Sequence, residues 1–367
     1  MPDRTVIAGV GMAPFTSARS NAEHLAERAV RSALTDAGLD AELVDQAVAS
    51  HVHGDSHAGE RALHRAGITG IAISNVTSGL ASGSAAFLHA RQALLSGEAQ
   101  CVLAFGSGQV DDTTALEQEE FLLLCAAQLE CMADRLSISE EAFARVAVKA
   151  RAHGVGNPYA MHRDPLSLEE ALAVPTLGGR LRRGYASEPS CGAAAMVLCT
   201  ARFAARHRLR DDVVVAAHVL EGKACGDAEP DLLDELGRSA TRRVAEKAYE
   251  SAGIDPADVA VAEVHDCCVS NELISCAALG FCSESAIDRF VLSGADTYGG
   301  TVVVSPSGGM LSRGNASGAT GLAQICELTW QLRGEAGSRQ VPGARIGLQH
   351  DGGFGDAVAV AILRRAT

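Results

Sequence analysis

From Arg28 to Ala47 the apolar residues fall at helical spacing, stop at a glycine, and resume in a short apolar run. This predicts an amphipathic helix closed by Gly38, a turn, and then a strand. The pattern returns 215 residues later, where Arg28, Ala33, Ala37, Gly38, Asp40, Val44 and Ala47 meet Arg243, Ala248, Ala252, Gly253, Asp255, Val259 and Ala262. A second block recurs at a shift of 235, with Ala81-Ser82-Gly83 matching Ala316-Ser317-Gly318. Each copy leads into a long apolar-periodic helix, Ala85 to Leu95 and Thr320 to Leu332. Each helix leads to a glycine and a strand, Val102 to Phe105 and Arg345 to Gln349. Two blocks recurring in one order at similar shifts predict a duplicated half of βαβαβ type.

The stretch from about 109 to 184 breaks the repeat. It opens on an acidic run, Asp111 to Glu120, which reads as a solvated face. Two helical patterns follow, Phe121 to Arg135 and Glu140 to Ala152, and then a Pro/Gly-containing stretch. We read it as an insertion in the first half, which resumes with a strand-like run, Gly192 to Thr200. The expected division is residues 1–221 for the N-terminal half and 222–367 for the C-terminal half.

Composition narrows the class. The 367 residues are 47% hydrophobic and 4% aromatic, with 38 glycines, which suits close packing of helices on sheets. A net charge of −14 argues against a nucleic-acid surface, which needs a basic stripe. No apolar run reaches the length of a membrane span. Met1-Pro2-Asp3-Arg4 runs straight into the apolar Thr5 to Val10 without a signal-like core, which predicts a cytoplasmic location. Eleven cysteines, none in a CxxC pair, predict buried thiols in a reducing compartment.

An ordered series of motifs carries a resemblance. It runs from His53-Gly54-Asp55-Ser56 with Gly59, Arg61 and Ala62, through Asn157-Pro158 and Arg163-Asp164-Pro165-Leu166, to His265-Asp266-Cys267 with Asn271-Glu272-Leu273. Thr297-Tyr298-Gly299-Gly300, Pro306-Ser307-Gly308-Gly309, Gly318-Ala319-Thr320-Gly321 and Gln349-His350 complete it. The chain resembles the thiolase superfamily, and within it the sterol-carrier-protein type of thiolase and its lipid-transfer-like relatives. The resemblance implies a five-layered α/β/α/β/α thiolase fold, a homodimer, and a coenzyme A thioester as substrate or ligand between the halves. It implies no covalently bound cofactor.

Two departures matter. The family's nucleophilic cysteine precedes the Ala81-Ser82-Gly83-Ser84 pattern, and Leu80 stands there. Leucine has neither a lone pair nor an acidic proton, so it carries no acyl group. The family's activating histidine is matched by Asn315, whose amide donates a hydrogen bond but takes up no proton. By the resemblance, His265 positions the thioester oxygen or its bound water, and Cys267 is an acid/base. His350 stands where other thiolases place a catalytic cysteine, and would pair with Cys267 in proton transfer.

His51, His53 and His57 with Asp55 lack tidy tetrahedral spacing, so no metal is expected. Three functions fit. The first is carbon–carbon bond cleavage or formation of aldol type, without an acyl-enzyme. The second is a non-catalytic acyl-CoA or lipid binder, or a scaffold subunit for a partner enzyme in a larger complex. The third is acyl transfer through Cys267 or Cys268.

Overall fold

The computed structural model describes residues 4–52, 57–110, 112–222, 231–235, 237–353 and 357–366. The first half runs β1 (Thr5–Thr16), α1 (Ala22–Ala37), β2 (Gln46–Ser50), α2 (Ala58–Ala66), β3 (Ala72–Val76), α3 (Ser82–Ser96) and β4 (Cys101–Gly108). The interruption holds α4 (Asp112–Leu136), α5 (Glu140–Gly154), α6 (Leu168–Ala173) and a small hairpin, β5 (Thr176–Gly178) with β6 (Leu181–Arg182). The half closes with β7 (Cys191–Thr200) and α7 (Ala201–His207).

The second half repeats the plan. It runs β8 (Val213–Glu221), α8 (Leu232–Glu235), α9 (Arg238–Ala252), β9 (Val261–Glu263), α10 (Val269–Ala278), α11 (Ile287–Leu292), β10 (Val303–Val304), α12 (Gly309–Arg313), α13 (Thr320–Arg333), β11 (Ile346–Gly352) and β12 (Val358–Arg365). Strand pairing establishes the duplication. The order is β3-β2-β4-β7-β1 in one half and β10-β9-β11-β12-β8 in the other. In both halves the two outer junctions are parallel and the next two antiparallel. The halves meet where β1 pairs with β8 at Val6 and Val214.

β8 lies before residue 222, yet it is the counterpart of β1 and pairs with β12 along its length, so by strand pairing it goes with the second five strands of the sheet.

The layering follows from the alternation of strand residues between two faces. On β7, Ala193, Ala195 and Val197 join an outer core with α1, while Ala194, Met196 and Leu198 face a central core. That central core also takes Phe87 of α3, Leu322 of α13 and Leu363 of β12. A third core packs α9, α10 and the insertion on the far sheet face. The result is five layers, with α3 and α13 in the middle. The two central helices cross closely: a Cβ on Gly83 would lie 3.0 Å from the Gly321 nitrogen.

Local signals explain the helix ends. Asn21 caps α1 by accepting from the His24 N–H, and Gly38 closes it at φ 62°. The repeated counterpart, Gly253, closes α9 at φ 63°. The insertion is anchored through charge. Lys149 of α5 reaches Glu272 (2.5 Å) and Asp296 (2.6 Å) in a buried cluster. Burial works against the ammonium charge, but Asp296 and Glu272 outweigh it and hold its pKa up. Glu272 of the Asn-Glu-Leu motif is thus a structural anchor.

The strand Cys101 to Phe105, which the family resemblance implies lies near the two-fold axis of a homodimer, is inside the sheet with β2 on one side and β7 on the other. The edge on that side is β3, whose residues are exposed or half-buried. Among the described residues no helix is long and apolar enough to cross a membrane.

Candidate active site

A cleft of about 120 Å³ opens at the seam between the halves. Leu80, just upstream of α3, forms one wall. Cys267, just upstream of α10, and Asn315, between α12 and α13, come from the second half. The repeat relation is visible in space, since Leu80 and Asn315 each stand before the central helix of their own half. Leu80 and Cys267 each stand two residues before a helix, α3 and α10, and helix N-termini carry partial positive charge.

A strap from the first half holds the loops. Ser187 N–H donates to the Cys267 carbonyl (2.7 Å), Ala186 bridges to Cys268, and Ser190 N–H donates to the Asn315 carbonyl (2.9 Å). Thr320 Oγ donates to Asn315 Oδ1 (3.1 Å), which leaves the amide NH2 as the end that donates into the cleft.

The insertion supplies the cover. Thr114, Glu117, Gln118 and Phe121 of α4 line the cleft at i, i+3, i+4 and i+7, one face of the helix. Glu117, Glu119 and Glu120 are all exposed, so the described carboxylates of the acidic run face solvent as expected; Glu117 and half-buried Gln118 also line the cleft. Sequence reasoning missed these residues, together with Pro189 and Ser317; the periodicity from Thr114 to Phe121 was the available signal.

Cys267 is 2% exposed, and burial pushes its thiol well above the usual range. It therefore keeps its proton at neutral pH. Its neighbour Cys268 is wholly buried at the N-cap of α10, against Cys125 of α4.

His265 lies behind Cys267, with Nδ1 2.9 Å from Asp351 Oδ1 and 3.2 Å from the Gly352 nitrogen. Its Nε2 is buried and has no hydrogen-bond partner among the described residues. Asp351 in turn accepts from Ser84 Oγ of α3 (2.7 Å). Gln349 Nε2 donates to the same Ser84 oxygen (2.7 Å) and to Gln324 Oε1 of α13 (2.9 Å). This buried polar network ties β11 to both central helices. Asp266 supports the other side: it accepts from Met310 N–H (2.8 Å), and a Cβ on Gly309 would meet its carboxylate at 1.8 Å. Gly309, at φ 57°, is therefore required where the Ser307-Gly308-Gly309 turn passes.

His350 is not brought to the cleft. Gln349 and Asp351 face the central layer, so period-two alternation turns His350 the other way. Its Nε2 lies 2.9 Å from Thr241 Oγ of α9, and its Nδ1 accepts from the His265 N–H (3.4 Å). Burial pushes its pKa down to about 3. The expected pairing of His350 with Cys267 is absent from this geometry.

His53 and Asp55 of the histidine-rich stretch lie outside the described residues. Among the described residues no group of three or more side chains is placed to hold a metal ion.

A duplicated five-layer α/β chain with its cleft between two central helices defines the thiolase architecture. Family models agree: residues 5–123 match "Thiolase, N-terminal domain" and residues 223–365 match "Thiolase C-terminal domain-like". The chain is 37% identical to human sterol carrier protein 2 over 98% of its own length and 72% of that protein. It is 31% identical to a nematode (Caenorhabditis elegans) non-specific lipid-transfer protein-like 2, over 98% and 96% of the two chains. Among solved structures it is similar in fold to one titled "Ltp2-ChsH2(DUF35) aldolase", with TM-score 0.85, 22% identity, and 99% and 98% of the chains covered. The human mitochondrial 3-ketoacyl-CoA thiolase gives TM-score 0.77 at 16% identity over 100% and 99%. This chain belongs to the thiolase family, in the group of sterol carrier protein 2 and the lipid-transfer-like proteins.

Proposed function

We propose that the protein binds acyl-CoA-type thioesters and makes or breaks a carbon–carbon bond by aldol chemistry, without an acyl-cysteine. The observation that carries this reading is the cleft itself. An inert Leu80 stands beside a protonated Cys267 and a donating Asn315. Thiol and amide suit an enolate, and leucine suits a wall. In the cleavage direction a β-hydroxyacyl-CoA loses its hydroxyl proton, and Cα–Cβ breaks to a carbonyl fragment and a thioester enolate. The Asn315 amide and the N-terminal ends of α3 and α10 stabilise the enolate oxygen. His265 Nε2, buried and without a hydrogen-bond partner among the described residues, is suited to hold a water toward that oxygen. Cys267 then protonates Cα.

The similar fold named as an aldolase, matched over nearly its whole length, supports the reading. That aldolase is named together with a second protein, ChsH2(DUF35), which supports an accessory subunit here. A raised thiol at Cys267 disfavours acyl transfer through it, because the thiolate is the nucleophile. The second reading is a non-catalytic acyl-CoA binder.

The test is a panel of 3-hydroxyacyl-CoA thioesters, read out by release of aldehyde or ketone together with the shortened thioester. Carbonyl release establishes the aldol reading. Tight binding of the panel without release leaves the binder. An intact-mass gain of an acyl group on Cys267 or Cys268 establishes acyl transfer instead.

A further inference from the structure

The aldol reading requires an acceptor for the β-hydroxyl proton. Among the described residues lining the cleft only two side chains titrate, Cys267 and Glu117. Cys267 is a thiol that donates, because burial withholds the thiolate. His350 is turned onto α9 and hydrogen-bonded to Thr241. His265 lies behind the cleft with Nδ1 engaged by Asp351. Asn315, Gln118, Thr114 and Ser317 take up no proton at neutral pH.

Glu117 has the right place in the fold. It is solvent-exposed and lines the cleft together with Phe121, Leu80 and Cys267. Its register is set by the next residue. Gln118 Nε2 donates to the Ser187 carbonyl (3.2 Å), and Ser187 N–H donates to the Cys267 carbonyl (2.7 Å). Two hydrogen bonds thus tie the helix that carries Glu117 to the loop that carries Cys267.

We propose that Glu117 is the general base of the reaction, paired across the cleft with Cys267 as general acid. The proposal rests on the aldol reading. The Glu117 carboxylate takes the β-hydroxyl proton, the O–H pair becomes the new carbonyl bond, and the Cα–Cβ pair passes to the thioester as an enolate. Cys267 Sγ–H delivers its proton to Cα, and the proton held by Glu117 then returns to the thiolate. Atoms and electrons balance with no further reactant. The insertion, in this assignment, supplies half of the proton-transfer machinery.

The experiment compares wild type with Glu117→Gln, Glu117→Asp and, as a control at an exposed carboxylate of the same helix that does not line the cleft, Glu119→Gln. Turnover of a 3-hydroxyacyl-CoA that wild type cleaves is measured beside calorimetric binding of butyryl-CoA, which has no β-hydroxyl. Glu117→Gln is expected to lower kcat by about 10²–10⁴-fold with butyryl-CoA binding unchanged. Glu117→Asp should recover part of the rate, and Glu119→Gln should match wild type. A Glu117→Gln rate within about threefold of wild type overturns the proposal. So does equal loss of rate and of butyryl-CoA binding, which would make Glu117 a binding group. If wild type binds butyryl-CoA but cleaves no 3-hydroxyacyl-CoA, the aldol reading itself fails, an outcome distinct from the other two.

Discussion

Ser84 of the first half donates a 2.7 Å hydrogen bond to Asp351 of the second, and Asp351 is the residue that holds His265. A helix start in one copy of the duplication thereby orients a site residue in the other. Ser84→Ala should cost about 1–3 kcal/mol of stability, since it strips partners from buried Asp351 and Gln349. Denaturant unfolding measures it. Turnover should fall as well, because the carboxylate loses the contact that fixes it against His265.

Cys267→Ala should lower turnover by about 10²–10⁴-fold while leaving acyl-CoA binding intact. Asn315→Ala should cost a comparable factor if its amide holds the enolate oxygen. Leu80→Ala should cost far less, because an apolar wall holds no charge. Steady-state kinetics of the three variants decides it: a Leu80→Ala defect as deep as that of Cys267→Ala would show the roles to be misassigned.

Leu80→Cys alone should make a poor thiolase. The new thiol stands at a helix N-terminus, which favours the thiolate, but Asn315 accepts no proton from it. Acylation, followed by intact mass, should be slow and should rise when Asn315→His is added. Rapid acylation of the single variant would remove the role given to Asn315.

His350 offers a test by pH. Its folded pKa, about 3, lies below the ordinary 6.5, so the unfolded chain binds the extra proton. This contribution is fully present above pH 6.5 and is lost as pH falls toward 3. His350→Gln should therefore flatten the loss of stability with acid by up to about 1.4 kcal/mol per pH unit in that window, with no change above it. Its effect on turnover should stay small beside that of Cys267→Ala. Identical pH slopes for variant and wild type would contradict a buried neutral imidazole.

A homodimer is expected, with β3 rather than Cys101–Phe105 as the strand available to a partner, because β3 leaves one edge of the sheet unpaired. Light scattering should give twice the chain mass of 37.9 kDa at micromolar concentration. A mass equal to the single chain would remove the dimer.

What was legible in the sequence was what is encoded locally or twice. The caps Gly38 and Gly253 and the periodicity of the helices before them announce the duplication without any long-range information. Leu80, Cys267 and Asn315 were placed together by motif order, and the cleft joins all three. His350 shows the limit: a motif gives a position on a strand, while the face follows from register with neighbours, and Asp351 holds the inward place. Glu117 was hidden for a related reason. It is exposed like Glu119 and Glu120, and only its place in the cleft lining sets it apart, which a run of carboxylates does not reveal.

The central layer has a consequence for the whole chain. Val10, Phe87 and Leu198 share one core with Val261, Leu322 and Leu363, so each copy completes the interior of its twin. Cut apart, either half would turn an apolar sheet face and a helix to water. The duplicated units are therefore not modules that can be traded or expressed singly. The molecule unfolds as one body, and damage at the seam between the copies is felt by both.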